Sequence, residues 1–188
     1  SQLYVYGMLQ LGGNLTVGTN ALVRTADGAT NVIGNINLHG GVLGINTNFA
    51  RELGTGDGQV QLTGDSTFQS GFSAYGNPIV VRIEDSGNNL TNLVWGTDTF
   101  NPGILLLNQD DANSAIEFQN SIDLNAVGAG VTNDRQVNVH ANVATISGAI
   151  TNAGDGVANF VKSGSGTLYL TGPLGWDGDA RILNGGLQ

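Results

Sequence analysis

Few side chains in this sequence are equipped for chemistry. Three carboxylate groupings come first: Glu84-Asp85, Asp110-Asp111, and Asp177 with Asp179. Glycoside hydrolysis needs two acids about 5–10 Å apart, so each grouping is a candidate pair. Basic side chains or calcium usually complete such sites, and the nearest mix is Arg82-Ile83-Glu84-Asp85. Nucleophilic catalysis needs a hydroxyl beside a base. The only two histidines are His39, in Asn37-Leu38-His39-Gly40-Gly41, and His140, after Val137-Asn138-Val139. Both read as surface or turn residues. No Gly-x-Ser-x-Gly elbow is present. Asp110-Asp111, Asp155 and Asp177-Gly178-Asp179 offer oxygen ligands, yet neither the EF-hand loop nor a repeated Gly-Gly-x-Gly-x-Asp pattern occurs. These acids read as solvated turn residues. The sequence assigns no catalytic, cofactor-binding or metal-binding residue, and the chain is read as a non-enzyme without a cofactor.

Composition narrows the partners. Six Lys+Arg stand against 15 Asp+Glu, a net charge of −9. Nucleic-acid binding needs clustered cations to release counterions, and anionic membranes need the same, so both are disfavoured. No apolar run approaches the 18 or so residues of a membrane span, so no membrane insertion is expected. No nucleotide-cradling glycine motif lies between a strand and a helix. The chain holds no cysteine, so packing and hydrogen bonds must hold it together. It starts Ser1-Gln2-Leu3-Tyr4 without a basic or apolar leader, and any export signal is expected outside it.

The elements that would position these groups are strands. Glycine makes up 30 of 188 residues, about 16% against a usual 7%. With asparagine it interrupts every helical pattern. Short runs alternate apolar and polar residues instead, as in Leu15-Thr16-Val17, Ile36-Asn37-Leu38, Val60-Gln61-Leu62, Ile122-Asp123-Leu124 and Leu168-Tyr169-Leu170. That period of two marks half-buried strands, here of about three to five residues with Gly, Asn or Asp at their ends. An antiparallel sandwich and a parallel β-solenoid both fit many short strands. Short strands, few hairpin turns between matched strands and an aromatic content of only 6% favour the solenoid, whose narrow interior suits stacked Val, Ile, Leu and Ala. Trp95, Trp176, Tyr4, Tyr6, Tyr75 and Tyr169 could form an exposed row for sugars; the plainer reading is packing at coil edges and contact with a partner.

The two ends echo each other. Residues 3–10 align with residues 181–188, sharing Gly7/Gly185, Leu9/Leu187 and Gln10/Gln188. This suggests one long period of a larger array, or ends that follow each other in register. The stretch Phe160-Val161-Lys162-Ser163-Gly164-Ser165-Gly166-Thr167-Leu168-Tyr169-Leu170-Thr171-Gly172 then resembles the autotransporter-associated β-strand repeat, whose pattern runs apolar-x-Lys-x-Gly-x-Gly-Thr-Leu-x-Leu-[Ser/Thr]-Gly. Trp176 and Gly178 match that family's following aromatic and glycine, whereas Pro173-Leu174-Gly175 departs from its usual Asn-Thr. Residues 159–188 match best, 116–188 well, and 1–17 look like the tail of a preceding repeat.

The resemblance implies a right-handed parallel β-helix in an exported bacterial surface protein. At about 20 residues per coil, a single all-β domain over 1–188 would have roughly eight to ten coils. The expected function is a non-enzymatic structural module, extracellular or at the cell surface, that self-associates into a rod or fibre by end-to-end stacking. The alternative is an adhesin holding glycans on a lateral face; a polysaccharide-degrading β-helix enzyme ranks behind it. Within the motif, Lys162 either caps carbonyls, pairs with a carboxylate or is simply solvated. Gly164, Gly166 and Gly172 fit tight corners, and the many asparagines fit ladders of stacked amides.

Overall fold

The computed structural model describes all 188 residues, Ser1–Gln188. The alternating runs do form strands, and they lie side by side. Leu15 is opposite Ile36 and Ile36 is opposite Val60; Thr16, Asn37 and Gln61 form the next column. Ile36, Leu38, Val60 and Leu62 are fully buried, while the polar residues between them face outward. Alternation thus chooses the face, and the match of one run to the next chooses the register.

The chain is all-β with no helix. One of its sheets has eight strands. It starts with Gln2–Val5, Leu22–Thr25, Val42–Ile45 and Gln69–Ala74, and continues through Ile104–Leu107, Thr132–Asn138, Val157–Ser163 and Ala180–Ile182. A ten-stranded sheet runs from Leu15–Val17 to Gly186–Leu187, with Phe100–Asn101 branching from Gln59–Thr63. A four-stranded sheet and the pair Gln10–Leu11 with Asn31–Val32 complete the set. Strand pairings are parallel throughout; the antiparallel contact is one isolated bridge, Glu84 to Leu90. Stacked parallel sheets of this kind are compatible with a β-solenoid and not with a sandwich built of hairpins.

One column of the eight-stranded sheet passes through Gln2, Leu22, Val42, Gly71, Leu106, Asn138 and Ser163. The chain intervals along it are 20, 20, 29, 35, 32 and 25 residues. A uniform period near 20 holds only toward the two ends. The longer middle intervals enclose a wider interior, which aromatic rings fill. Five of the six phenylalanines, at 49, 72, 100, 118 and 160, sit in one continuous core of 34 residues. Phe49 packs on Phe72 at 4.8 Å between centroids, and Phe100 meets Trp95 edge-on at 5.6 Å. The expectation of an interior of Val, Ile, Leu and Ala is therefore too narrow. Trp95 is also not at an edge: it is buried, and its indole Nε1 donates to the Pro102 carbonyl at 2.9 Å.

Corners are where a parallel ladder loses its backbone partners. Some corners keep the ladder: Asn20 N–H donates to the Gly40 carbonyl and Gly40 N–H to the Thr63 carbonyl. Elsewhere side chains take over. Five of the six non-glycine residues with positive φ are asparagines, at 20, 88, 108, 125 and 142, because Asn tolerates the left-handed region best. Asn108 is fully buried at φ 77°. Its Oδ1 accepts from Ala74 N–H at 2.9 Å, and its Nδ2 donates to the Ser114 and Val143 carbonyls. Asn120 bridges the Ile83 backbone in the same manner and also reaches the Thr91 carbonyl. The amides therefore bond to backbone of other strands rather than stacking on one another.

Half of the six cations do the same work. Arg51 donates to the carbonyls of Ala29, Val32 and Gly34. Arg135 donates to those of Leu124 and Asn125. Lys162 is fully buried, and its Nζ reaches the carbonyls of Ser163, Gly164 and Asn184 at 2.6, 2.7 and 3.2 Å. Burial pulls its ammonium below the ordinary lysine range. Of the three roles open to Lys162, it takes carbonyl capping. The neighbouring glycines follow from the same corner. Gly164 has φ 78°, and a Cβ there would overlap the Val139 carbonyl; one at Gly172 would overlap the Gly148 carbonyl.

The echo between the ends covers one strand. Tyr4 and Ile182 both belong to the eight-stranded sheet, but Leu187 lies in the ten-stranded sheet and Gln10 in the two-stranded one.

These roles are separable by substitution. Asn108→Ala orphans one buried N–H and two carbonyls, and should lower stability by about 3 kcal/mol. Asn88→Ala, exposed with the same sign of φ, should cost only about 1 kcal/mol of backbone strain. Urea unfolding of the two variants checks the difference.

Candidate functional site

The acids singled out by sequence do not converge. Glu84 pairs with Arg82 at 2.9 Å. Asp85 accepts from Gly87 and Asn89 N–H, which holds its carboxyl below the usual range. Asp177 accepts from Ala158 N–H and Asn152 Nδ2, with the same effect. Asp155 accepts from Gly128 N–H. These are local corner bonds. No group of three or more His, Asp or Glu side chains is placed to hold a metal ion.

Asp110 and Asp111 differ. They lie on the outer face of the eight-stranded sheet, where groups far apart in sequence meet. His140 Nδ1 is 3.1 Å from Asp110 Oδ1, and its Nε2 is 2.9 Å from Gln69 Oε1. Asn138 Nδ2 also reaches that Gln69 oxygen, at 3.2 Å. His140 is thus not a free surface base but part of a network over the sheet. His39 stands apart, exposed, with Nδ1 2.9 Å from Thr63 Oγ1.

Asp111 Oδ1 accepts from the Tyr75 hydroxyl at 2.6 Å. The Tyr75 ring lies against the sheet at Gly44, where an added Cβ would come within 2.6 Å of Tyr75 Cε2. The Arg24 guanidinium covers the ring, 3.7 Å from its centroid, and also lies 5.8 Å from the Tyr4 centroid. Gly44 is needed here for space: it lets the ring lie flat on the strands. Burial first, and the Asp111 carboxylate second, push the Tyr75 hydroxyl well above the ordinary tyrosine range.

Register explains the assembly. Tyr4, Arg24, Gly44 and Ser73 form one outward column. In the adjacent outward column, Leu22, Val42 and Leu106 form a small apolar cluster separate from the main core. Two adjoining cavities open on this face and share Tyr4. One, about 420 Å³, is lined by Leu22, Val42, Gln69, Gln109, Asp110 and His140 among others. The other, about 290 Å³, is lined by Tyr6, Arg24, Asn46, Tyr75 and Asn113 among others.

Of the aromatic set, the fold gathers Tyr4, Tyr6 and Tyr75 here. Tyr4 and Tyr6 are near-parallel, with centroids 6.4 Å apart. Trp176 instead packs on Phe160 at 5.4 Å. Sequence reasoning missed Arg24, Gly44, Gln69 and Gln109. The signal for them is long-range register, and it is masked where the interval lengthens from 20 to 29 residues. Compared with known protein families, curated proteins and solved structures, the chain matches none.

The Tyr75 arrangement makes a pH prediction. A hydroxyl whose folded pKa is raised favours the fold in its protonated form. That stability is whole below the unfolded value of about 10 and is lost as pH rises toward the folded value. Near-ultraviolet tyrosinate absorbance should therefore show a late step that coincides with alkaline unfolding and is absent in Tyr75→Phe.

Proposed function

We propose that this chain is a non-enzymatic structural module: a right-handed parallel β-helix of roughly eight to ten coils that builds rods or fibres by end-to-end stacking. The carrying observation is that both ends of the eight-stranded sheet are unpaired. Gln2–Val5 has a partner only in Leu22–Thr25, and Ala180–Ile182 only in Val157–Ser163. An open strand edge is a template for another strand. Large apolar side chains are exposed at both ends, Leu3 and Met8 at one and Leu174, Ile182 and Leu183 at the other. A further coil laid on either end would cover them.

The resemblance to the autotransporter-associated repeat supports an extracellular or cell-surface setting in a bacterium. Its motif also has a physical basis here, since Lys162 caps the corner and Gly164 and Gly172 sit where a side chain would collide. With a rise of about 4.8 Å per strand, an eight-coil stack is on the order of 35 Å long. The continuation at either end is the flanking chain of a longer polypeptide or a second copy. A surplus of negative charge keeps the sides of such rods apart.

Sedimentation velocity over a range of concentrations, with electron microscopy of the same samples, tests stacking. Growing linear assemblies are expected, and the pair Ile182→Asp and Leu183→Lys should reduce them to monomers. A wild-type chain that stays a single particle at the highest concentration contradicts stacking between copies.

A further inference from the structure

We infer that the outer face of the eight-stranded sheet binds a neutral oligosaccharide in the two-part groove divided by Tyr4. This goes beyond the scaffold role, because it uses side chains on the outer face of the sheet, Tyr4 of the end strand Gln2–Val5 among them.

A pyranose ring offers an apolar C–H face and a rim of hydroxyls that donate and accept. The groove presents the complement. Leu22 and Val42, apolar residues outside the main core, lie at the bottom of the larger part but are almost wholly buried, so the Tyr4 and Tyr6 rings supply the apolar face. Around it stand amides and carboxylates with capacity to spare. The Gln109 side chain makes no hydrogen bond within the chain, and Gln69 uses its oxygen while its amide nitrogen has no partner. Asp111 accepts from Tyr75 through Oδ1 alone. Such a mix of apolar surface and a few convergent polar groups is the usual make-up of a small-molecule site.

The smaller part carries the aromatic platform. Tyr6 is 93% exposed and stacks loosely on Tyr4, leaving a face free for a sugar ring. Asn46 lines this part, and its Oδ1 is buried without a partner. Cavities of about 420 and 290 Å³ on either side of one tyrosine suit at least two linked rings.

Charge selects the ligand class. Asp110 and Asp111 line the larger part, and the chain carries −9 overall. Of the cationic groups lining the groove, Arg24 already lies over the Tyr75 ring and the Ser1 ammonium already donates to the Asn20 carbonyl. A polyanionic glycan would meet net repulsion; a neutral one would not. An extended peptide could pair only with the open edge of Gln2–Val5 at the end of the sheet, because the floor strands Leu22–Thr25 and Val42–Ile45 are paired on both sides.

The test is calorimetric titration of the intact chain with neutral hexasaccharides of β-1,4-glucose, α-1,4-glucose, β-1,4-mannose and N-acetylglucosamine, with hexagalacturonate as the anionic control. At least one neutral hexasaccharide should bind with a Kd on the order of 0.1 mM. Tyr6→Ala and Gln109→Ala should each weaken it tenfold or more without changing the melting temperature, since both side chains sit at the surface of the groove. The inference is overturned if no neutral hexasaccharide binds at about 10 mM, if hexagalacturonate binds as tightly, or if both variants bind like the wild type.

Discussion

The structure depends on satisfying backbone groups at corners. Along its strands a parallel stack bonds itself, each turn of chain to the next. Where the chain bends, the ladder breaks and carbonyls and amides are left inside the molecule without water. This protein answers with asparagine, arginine and one lysine. Asn108 and Asn120 each bond backbone at several points, while Arg51, Arg135 and Lys162 gather two or three carbonyls apiece. Without disulfides, these bonds and the continuous core hold the corners. They also account for an unusual composition: rich in Gly and Asn, and so poor in cations that a buried lysine is spent on structure.

The lateral groove follows from the same architecture. Parallel register places residues from distant parts of the chain in one outward column, so Tyr4, Arg24 and Gly44 become neighbours. Where the chain interval lengthens, added loop folds back over the sheet and brings Tyr75, Asp111 and Gln109 to that column. The apolar trio Leu22, Val42 and Leu106 packs together on the outer side of the sheet and is itself buried. The stacking proposed for the ends and the binding proposed for the side meet at the end strand Gln2–Val5, which carries Tyr4, whereas Ile182 and Leu183 belong to the far end alone.

Much of the fold was legible in sequence because period-two alternation is local. Leu15-Thr16-Val17 and Ile36-Asn37-Leu38 announce both strand and face, and Gly-Asn punctuation announces corners. The all-β class followed from those signals; parallel stacking was read from the shortness of the strands and the few hairpin turns between matched strands. Coil length did not, since loops such as 108–115 leave no periodic trace. The aromatic interior was missed for the same reason: the core widens only where the interval does. At the candidate site the acids and tyrosines were visible as types. Their grouping was not, because Tyr75 meets Arg24 and Gly44 through register and not through spacing. The corner role of Lys162 was one of three open choices until the carbonyls around it were placed.

The central claim is that successive turns run in the same direction and in one register. Because the chain has no cysteine, paired cysteines can read this directly. In the ten-stranded sheet Val143 is opposite Thr167 and Thr145 is opposite Tyr169, all half-exposed. Oxidation should link 143 to 167 and 145 to 169, whose Cα atoms lie within disulfide reach. The crossed pairs 143 with 169 and 145 with 167, about 8 Å apart on a parallel ladder, should stay reduced. Efficient linking of the crossed pairs and not the direct ones would mean antiparallel neighbours, and would contradict the account.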